Sequence, residues 1–326
     1  MELYPLKFNP IYKERVWGGN KLSTVFNRKA NNDKPIGESW ELSAVKGDLS
    51  QVSNGFLKGN NIQELIEVYM GELVGDKVFE KFGIELPLLF KIIDAAERLS
   101  VQVHPNDELA LDRHKAYGKT EMWYVIDAKP DAAIYVGFNK EVTKDEFIER
   151  TKNGTLLDVM NVETAKPNDV FYLPAGRIHA IGEGILIAEI QQTSDVTYRI
   201  YDWGRENNPE TAREMHTNLA VDAIDYKLID NYKTIYTAKK NDGMNIVKSD
   251  YFTTNLLELE QAKNRDYTLL DSFVVYMCFY GSAEIKCNGS SEHIAKGETV
   301  MIPAAINQVE LIPHNGNVKL LEVYVE

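Results

Sequence analysis

The sequence has little of several features that define other classes of protein. Only two cysteines, Cys278 and Cys287, occur among 326 residues, which excludes a disulfide framework and a zinc ribbon. No apolar run approaches the roughly 18 residues that a membrane-spanning helix needs, so no membrane is expected as a partner. The first residues lack the basic and apolar stretches of a secretory signal, which predicts a cytoplasmic protein.

Basic residues are also scarce relative to acidic ones. The chain has 36 Lys and Arg against 49 Asp and Glu, a formal net charge of −13. A field of this sign repels phosphate-rich polymers unless cations are concentrated somewhere, and clusters such as Lys239 and Lys240 are short. We therefore expect no nucleic-acid partner. The 44% hydrophobic content is ordinary for a globular protein.

Short strands separated by turns account for most of the pattern. Apolar, β-branched or alternating segments lie at residues 88–94, 99–104, 122–127, 132–138, 170–173, 185–192 and 196–201. This spacing predicts a mainly β fold of the sandwich or barrel type. Helices are expected at residues 61–82, after a capping box that starts at Thr143, and around residues 209–224.

A short internal repeat suggests a second, related β-barrel. The segment DVFYLPA at residues 169–175 is echoed by ETVMIPA at residues 298–304. A polar stretch at residues 239–243 lies between the two copies. We therefore predict a first domain at residues 1–235 and a second, related β-barrel at residues 236–326.

Polar side chains recur at alternate positions in two of the predicted strands. Strand periodicity places two groups on shared faces: Ser100, Gln102 and His104 in one strand, and Lys119, Glu121 and Trp123 in the next. A tight turn at residues 173–179 delivers a further histidine. A set with two imidazoles and no thiolate is typical of a catalytic metal ion with open positions. The candidate ligands are Gln102, His104, Glu121 and His179, and the alternative is that these histidines are merely hydrogen-bonded or exposed.

Two charged residues, Glu189 and Arg199, stand inside apolar strand sequence. Burying an unpaired charge is costly, so each must reach solvent or find a partner. An ion pair between them across a hairpin explains the pattern as well as a catalytic role does.

Four segments in series resemble the type I mannose-6-phosphate isomerase family of cupin-fold zinc enzymes. They are SVQVHP at residues 100–105, KTEM at 119–122, PAGRIH at 174–179 and QTSDVTYR at 192–199, and the segments RVWGG at 15–19 and GESWELS at 37–43 are also similar. The resemblance covers most of residues 1–205. It implies two cupin-type (jelly-roll) β-barrels with a few inserted helices. The short interval between Glu121 and His179 resembles the short bacterial form.

The resemblance also implies roles for individual residues. Gln102, His104, Glu121 and His179 would hold one Zn²⁺ per chain, because the second repeat has Gln308 where the first has His179. The implied catalytic residues are Arg199, Glu189 and Lys119, with Ser100, Lys119 and Arg199 beside the substrate. Arg177 and Arg205 are further candidates for binding a phosphate.

The function implied is the interconversion of mannose-6-phosphate and fructose-6-phosphate through a cis-enediol, with a small phosphorylated sugar as the partner. A metal would stabilise the developing oxyanion, and Glu189 is the first candidate for the base. Two alternatives are a metal-dependent cupin oxygenase, which uses two histidines and one carboxylate, and a noncatalytic sugar-binding cupin. The sequence leaves the oligomeric state open.

Overall fold

The computed structural model describes residues 2–28 and 34–326 and forms two compact units from interleaved segments. The central unit comprises Tyr12–Ser39 and Phe90–Thr234, and the terminal unit comprises Met1–Ile11, Trp40–Leu89 and Ile235–Glu326. The predicted domains at 1–235 and 236–326 stay a prediction. No helix within the described residues is long and apolar enough to cross a membrane.

Strands dominate both units, as the sequence predicts. They are β1 (Leu6–Lys7), β2 (Ile11–Gly19), β3 (Ile36–Leu42), β4 (Ala44–Val45), β5 (Asp48–Leu49), β6 (Leu88–Ala95), β7 (Val101–Val103), β8 (Glu121–Ala128), β9 (Ala133–Phe138), β10 (Met160–Thr164), β11 (Val170–Leu173), β12 (His179–Ile181), β13 (Ile185–Gln192), β14 (Tyr198–Tyr201), β15 (Gly243–Lys248), β16 (Thr253–Leu259), β17 (Lys263–Asp266), β18 (Val274–Cys287), β19 (Ser290–Ala295), β20 (Thr299–Ile302) and β21 (Gln308–Tyr324).

The helices are short and few. They are α1 (Lys21–Phe26), α2 (Ile62–Tyr69), α3 (Gly71–Val74), α4 (Asp76–Phe82), α5 (Asp107–His114), α6 (Lys144–Lys152) and α7 (Thr217–Ala223), with 3-10 turns at Leu156–Val159 and Arg205–Asn207.

Two sheets form the framework of the central unit. One has the strand order β10-β9-β12-β7-β14, and the other has the order β11-β8-β13-β6-β3-β2. Apolar side chains from both sheets share one core, which includes Ile134, Val136, Ile181, Trp123, Val125 and Ile187. A second core covers the other face of the five-stranded sheet with residues of α6 and α7. The unit is therefore two packed sheets, with α6 and α7 on the outer face of the five-stranded one.

The terminal unit has one large sheet. Its main path is β1-β20-β18-β21-β16-β15, with β17 paired to β21 and β19 paired to β18. The long strands β18 and β21 are paired and contribute residues such as Tyr276, Ile285 and Leu320 to its core. Both cysteines are free and buried there. Mainly β architecture is confirmed, but the strands form open sheets and not closed barrels.

The internal repeat recurs as a structural unit. Val170–Leu173 and Thr299–Ile302 are both four-residue strands that end at a proline. Before each strand, an acidic side chain accepts a hydrogen bond from a backbone N–H three residues earlier, at Lys166 and Ala295. After each strand, the proline carbonyl accepts from the residue three positions on. The two copies therefore share the same turns as well as similar sequences.

Two helix predictions need correction. The segment expected as one helix at residues 61–82 is three, because the chain bends at Met70 and Gly75. Gly75 has a φ of 96°, and a Cβ there would lie 2.4 Å from the Asp271 carbonyl oxygen. The helix expected around residues 209–224 is confined to α7. The helix predicted after Thr143 is confirmed, and the Thr143 hydroxyl accepts from the Glu146 N–H and caps α6, but the Glu146 carboxylate accepts from Lys140 and Arg150.

Candidate active site

Strand register brings three of the predicted site residues onto one face of the five-stranded sheet. Gln102 on β7 is paired with His179 on β12 and, on its other side, with Arg199 on β14. Directly paired residues on neighbouring strands project to the same face of a sheet. Gln102, His179 and Arg199 therefore form a row.

The six-stranded sheet contributes a second row. Glu121 on β8 is paired with Gln191 on β13, and Trp123 is paired with Glu189. Because β-strand side chains alternate, all four project to one face. Glu121 and Glu189 are both almost fully buried. The predicted grouping of Glu121 with Trp123 matches this face.

His104, Glu121 and His179 converge in the core between the sheets. Their ligand atoms all lie within 4.8 Å of one another, and within residues 2–28 and 34–326 theirs is the one group of three or more such side chains. Nε2 of His104 lies 3.6 Å from Glu121 Oε2, and Nε2 of His179 lies 3.3 Å from Glu121 Oε1. The side-chain amide of Gln102 lies 3.3 Å from His179 Nε2.

Backbone carbonyls fix the orientation of both imidazoles. His104 Nδ1 lies 2.9 Å from the Val196 carbonyl oxygen, and His179 Nδ1 lies 2.8 Å from that of Arg177. A carbonyl can only accept, so each Nδ1 carries the proton and each Nε2 presents a lone pair to Glu121. This arrangement is typical of metal-binding histidines.

The protonation states agree with that orientation. Burial, with the charge of Lys119, lowers the pKa of His104 well below its usual range and lowers that of His179 to about 4. Both rings are therefore neutral at neutral pH. Burial and the charge of Glu189 raise the pKa of Glu121 to about 7, although Lys119 opposes the shift.

The donor set fits a divalent cation. Glu121 Oε1 is buried and has no hydrogen-bond partner among the described residues, and His179 Nε2, which lies 3.3 Å from it, presents a lone pair and not a proton. An acceptor nitrogen that faces a carboxylate oxygen leaves both groups unsatisfied, and a cation bound by His179 Nε2 and Glu121 Oε1 would satisfy them. Imidazole and oxygen ligands without thiolate suit a catalytic metal with open positions.

A buried network of charges adjoins the cluster. Lys119 Nζ donates to Glu121 Oε2, and it lies 3.2 Å from His104 Nε2 and 3.7 Å from Glu189 Oε1. Lys91 Nζ lies 3.1 Å from the same Glu189 oxygen. Burial alone would raise the pKa of Glu189, but Lys119 and Lys91 outweigh it and lower that pKa to about 2.

Arg199 is half-buried at the end of its row. Its guanidinium donates through Nη1 to the Glu214 carbonyl at 2.8 Å, whereas its Nε is buried without a partner among the described residues. Burial and the charge of Arg213 lower its pKa. Arg213 and Arg205 are both bound to Asp202, at 2.6 and 2.8 Å.

The other sequence candidates have different surroundings. Ser100 is buried immediately before β7. The guanidinium of Arg177 lies 5.1 Å over the ring of Tyr232, and Arg205 also donates to the Arg98 carbonyl at 2.6 Å. The cross-hairpin ion pair of Glu189 with Arg199 is not the arrangement found, because β13 and β14 lie in different sheets and Glu189 pairs with Lys91.

Sequence reasoning missed Lys91 and the role of Trp123. Lys91 is buried within the apolar strand β6, and the Trp123 indole N–H donates to Glu189 Oε2 at 2.9 Å. Lys91 could have been found as a single charged residue within an apolar strand sequence, which is the pattern that identified Glu189.

The amino-terminal motifs supply close packing at neighbouring strands β2 and β3. A Cβ on Gly18 would lie 2.4 Å from the Gly37 nitrogen, so the two glycines allow the strands to approach. Arg15 Nε donates to Glu38 Oε1 at 2.8 Å. Burial lowers the pKa of Lys119, but the charges of Glu121 and Glu189, and then that of Glu38, raise it above its ordinary value.

Comparison with known proteins gives a consistent result. Residues 5–149 match the family model for the phosphomannose isomerase type I catalytic domain, and residues 243–325 match that for the mannose-6-phosphate isomerase cupin domain. Mannose-6-phosphate isomerase ManA of Bacillus subtilis is 33% identical over 95% of this chain and 96% of its own. Mannose-6-phosphate isomerase of Streptococcus mutans is 31% identical over 93% of each chain.

Structural comparison agrees with the sequence matches. The crystal structure of the Bacillus subtilis mannose 6-phosphate isomerase has a TM-score of 0.86 and 29% identity, and the match covers 99% of this chain and 100% of that chain. Fold and site together define a cupin-fold isomerase. The chain belongs to the type I mannose-6-phosphate isomerase family, which confirms the family expected from the sequence motifs.

Proposed function

We propose that the protein interconverts mannose-6-phosphate and fructose-6-phosphate through a cis-enediol, with one Zn²⁺ per chain. The observation that carries this proposal is the buried cluster of two neutral imidazoles and the Glu121 carboxylate, whose Oε1 has no hydrogen-bond partner in the described part of the chain. Family membership supports the reaction, and the donor set supports the metal. The substrate partner is a small phosphorylated sugar.

Gln102, His104, Glu121 and His179 are the proposed ligands. When bound there, the metal would act as a Lewis acid on the oxygens at C1 and C2 of the sugar. The carbonyl contacts of His104 and His179 orient the two rings, so that each Nε2 already faces the site.

Glu189 is the proposed proton acceptor. It is ionised, it is not one of the proposed ligands, and Lys119 lies 3.7 Å from its Oε1. A proton taken from C2 or C1 of the sugar would return to the adjacent carbon, and the ammonium group of Lys119 would stabilise the negative charge that develops on the substrate oxygen. Lys91 and Trp123 hold the carboxylate in place.

Lys119, Arg199 and Ser100 are the proposed substrate-binding residues. Arg199 has a buried Nε without a partner in the described part of the chain, so it has a donor to offer the phosphate. Arg205 and Arg213 share Asp202, and Arg177 lies over an aromatic ring, so these three are less available.

The assignment of different roles to the two predicted domains is also a proposal. We place catalysis in residues 1–235 and assign residues 236–326 to a metal-free cupin module. The repeat supports this division because Gln308 replaces His179 at the equivalent position. We propose the cytoplasm as the site of action.

A coupled assay that measures fructose-6-phosphate formed from mannose-6-phosphate tests the reaction. Activity should disappear after chelation and return with Zn²⁺, and the metal content of the active protein should be one ion per chain. The matched variant Glu121→Gln should lose both metal and activity. Absence of turnover in the zinc-replete protein would refute the isomerase, and iron-dependent oxygen consumption would favour the oxygenase instead.

A further inference from the structure

Arg199 lies on the edge strand of the five-stranded sheet, and one residue pairs with the backbone groups that it directs away from the sheet. The strand β14 ends the five-stranded sheet, and among the described strands β7 is its one sheet neighbour. A residue at an edge presents its backbone N–H and C=O outwards, and these groups need partners. For Arg199, both partners belong to His216.

Two reciprocal hydrogen bonds join these residues. The Arg199 N–H donates to His216 Nδ1 at 3.2 Å, and the His216 N–H donates to the Arg199 carbonyl at 2.7 Å. A third bond runs from Arg199 Nη1 to the Glu214 carbonyl at 2.8 Å. The segment 214–216 therefore holds the backbone and the guanidinium of Arg199 at once.

His216 is itself held firmly. It precedes α7, and its carbonyl accepts from the N–H groups of Leu219 and Ala220. Asp222 of α7 forms ion pairs with Arg113 of α5 and Lys144 of α6, at 2.8 and 2.9 Å. His216 thus links Arg199 to α7, a helix that forms ion pairs with both α5 and α6.

We propose that His216 is a positioning residue for Arg199, which sets the direction of its unpartnered Nε towards the substrate phosphate. This inference rests on the proposed function, in which Arg199 touches substrate. The structure requires only that Nδ1 accepts a hydrogen bond, so an asparagine, whose Oδ1 can occupy a similar place, should replace the ring. Leucine cannot.

Kinetics of His216→Leu, His216→Asn and the matched control His314→Leu test the proposal. We expect His216→Leu to raise the KM for mannose-6-phosphate about tenfold with a smaller change in kcat, since one hydrogen bond and the direction of Arg199 are lost. His216→Asn should recover most of that loss. His314 is an exposed histidine of the terminal unit, and its replacement should leave both constants unchanged.

A double-mutant cycle separates positioning from a general structural effect. In an Arg199→Ala background, His216→Leu should cause little further loss. An equal loss in both backgrounds, or no rescue by asparagine, would overturn the proposal.

Hydrogen exchange provides a measurement that does not depend on turnover. Exchange at the Arg199 amide in the metal-replete protein should be faster in His216→Leu than in His216→Asn or the parent protein. If the parent has no isomerase activity, the proposed function fails while this result still tests the contact. Unchanged exchange in His216→Leu would refute the positioning role itself.

Discussion

The Trp123 indole N–H donates to Glu189 Oε2 at 2.9 Å from the directly paired position on the neighbouring strand. Lys91 and Lys119 contact the other oxygen of the same carboxylate. Glu189 is therefore surrounded by donors, which keeps it ionised in a fully buried setting. Its partners can be removed one at a time.

Trp123→Phe removes one donor from Glu189 and preserves an aromatic ring in the core. We expect the pKa of Glu189 to rise, because a hydrogen bond to its charged form is lost. The acidic limb of the pH profile of kcat should therefore move to higher pH, and kcat should fall about tenfold. An unmoved acidic limb would argue against Glu189 as the base. Trp203→Phe, whose indole bonds to the Leu99 carbonyl instead, is the control.

Lys91→Met should destabilise the protein by about 3 kcal/mol, because it removes one of two cations from a buried carboxylate. Chemical denaturation of the metal-replete protein measures the effect. The double variant Lys91→Met with Glu189→Gln should recover much of the loss, since the charge that needs a partner is gone. If the double variant does not recover stability, the contribution of Lys91 to the free energy of unfolding comes from packing of its aliphatic chain and not from its charge.

Lys119→Met should raise the KM for mannose-6-phosphate at least about tenfold if its ammonium group binds the substrate. Steady-state kinetics at saturating Zn²⁺ checks this. Lys129→Met, which alters an exposed lysine paired with Glu183, is the control and should change nothing. A KM that stays constant in Lys119→Met would eliminate the substrate-binding role.

The metal-free protein should lose stability as the pH falls from about 6.5 to about 4. His179 has a folded pKa of about 4 against an ordinary value of 6.5, and the pKa of His104 is lowered as well. Between these values the folded state binds fewer protons than the unfolded state, so acid favours unfolding. Above pH 6.5 these rings contribute no pH dependence.

Glu121 acts in the opposite direction, because its raised pKa lets the folded state take up a proton below about pH 7. Two imidazoles against one carboxyl leave a net loss of stability on acidification. Thermal unfolding of chelated protein across this range is the measurement. Glu121→Gln should make the acid loss steeper, and a melting temperature that does not vary with pH would contradict the assignment.

Local patterns were sufficient to predict most of the strands and part of the site. The alternation around Gln102 and Glu121 specifies which face each side chain occupies, and this depends only on the period of a strand. The strand β7 is shorter than predicted, so His104 lies beyond its end and depends on the Val196 carbonyl for its orientation. That contact joins segments distant in sequence, and no local pattern encodes it.

Partners of buried charges were harder to predict. Glu189 and Arg199 are ten positions apart and suggest a hairpin, yet their strands enter different sheets. Lys91, the partner that Glu189 does have, lies far away in the sequence. The assignment of a strand to a sheet depends on the packing of the whole core. A sequence can therefore show that a buried charge needs a partner without showing which residue that partner is.

The interleaving of the two units has a consequence for synthesis on the ribosome. Every segment of the central unit has been translated once Thr234 is made, so that unit can fold while the rest of the chain is still being produced. The terminal unit must wait, because β1 at Leu6–Lys7 pairs with β20 at Thr299–Ile302. The sheet pairing of its first strand therefore cannot form until β20 has been synthesised.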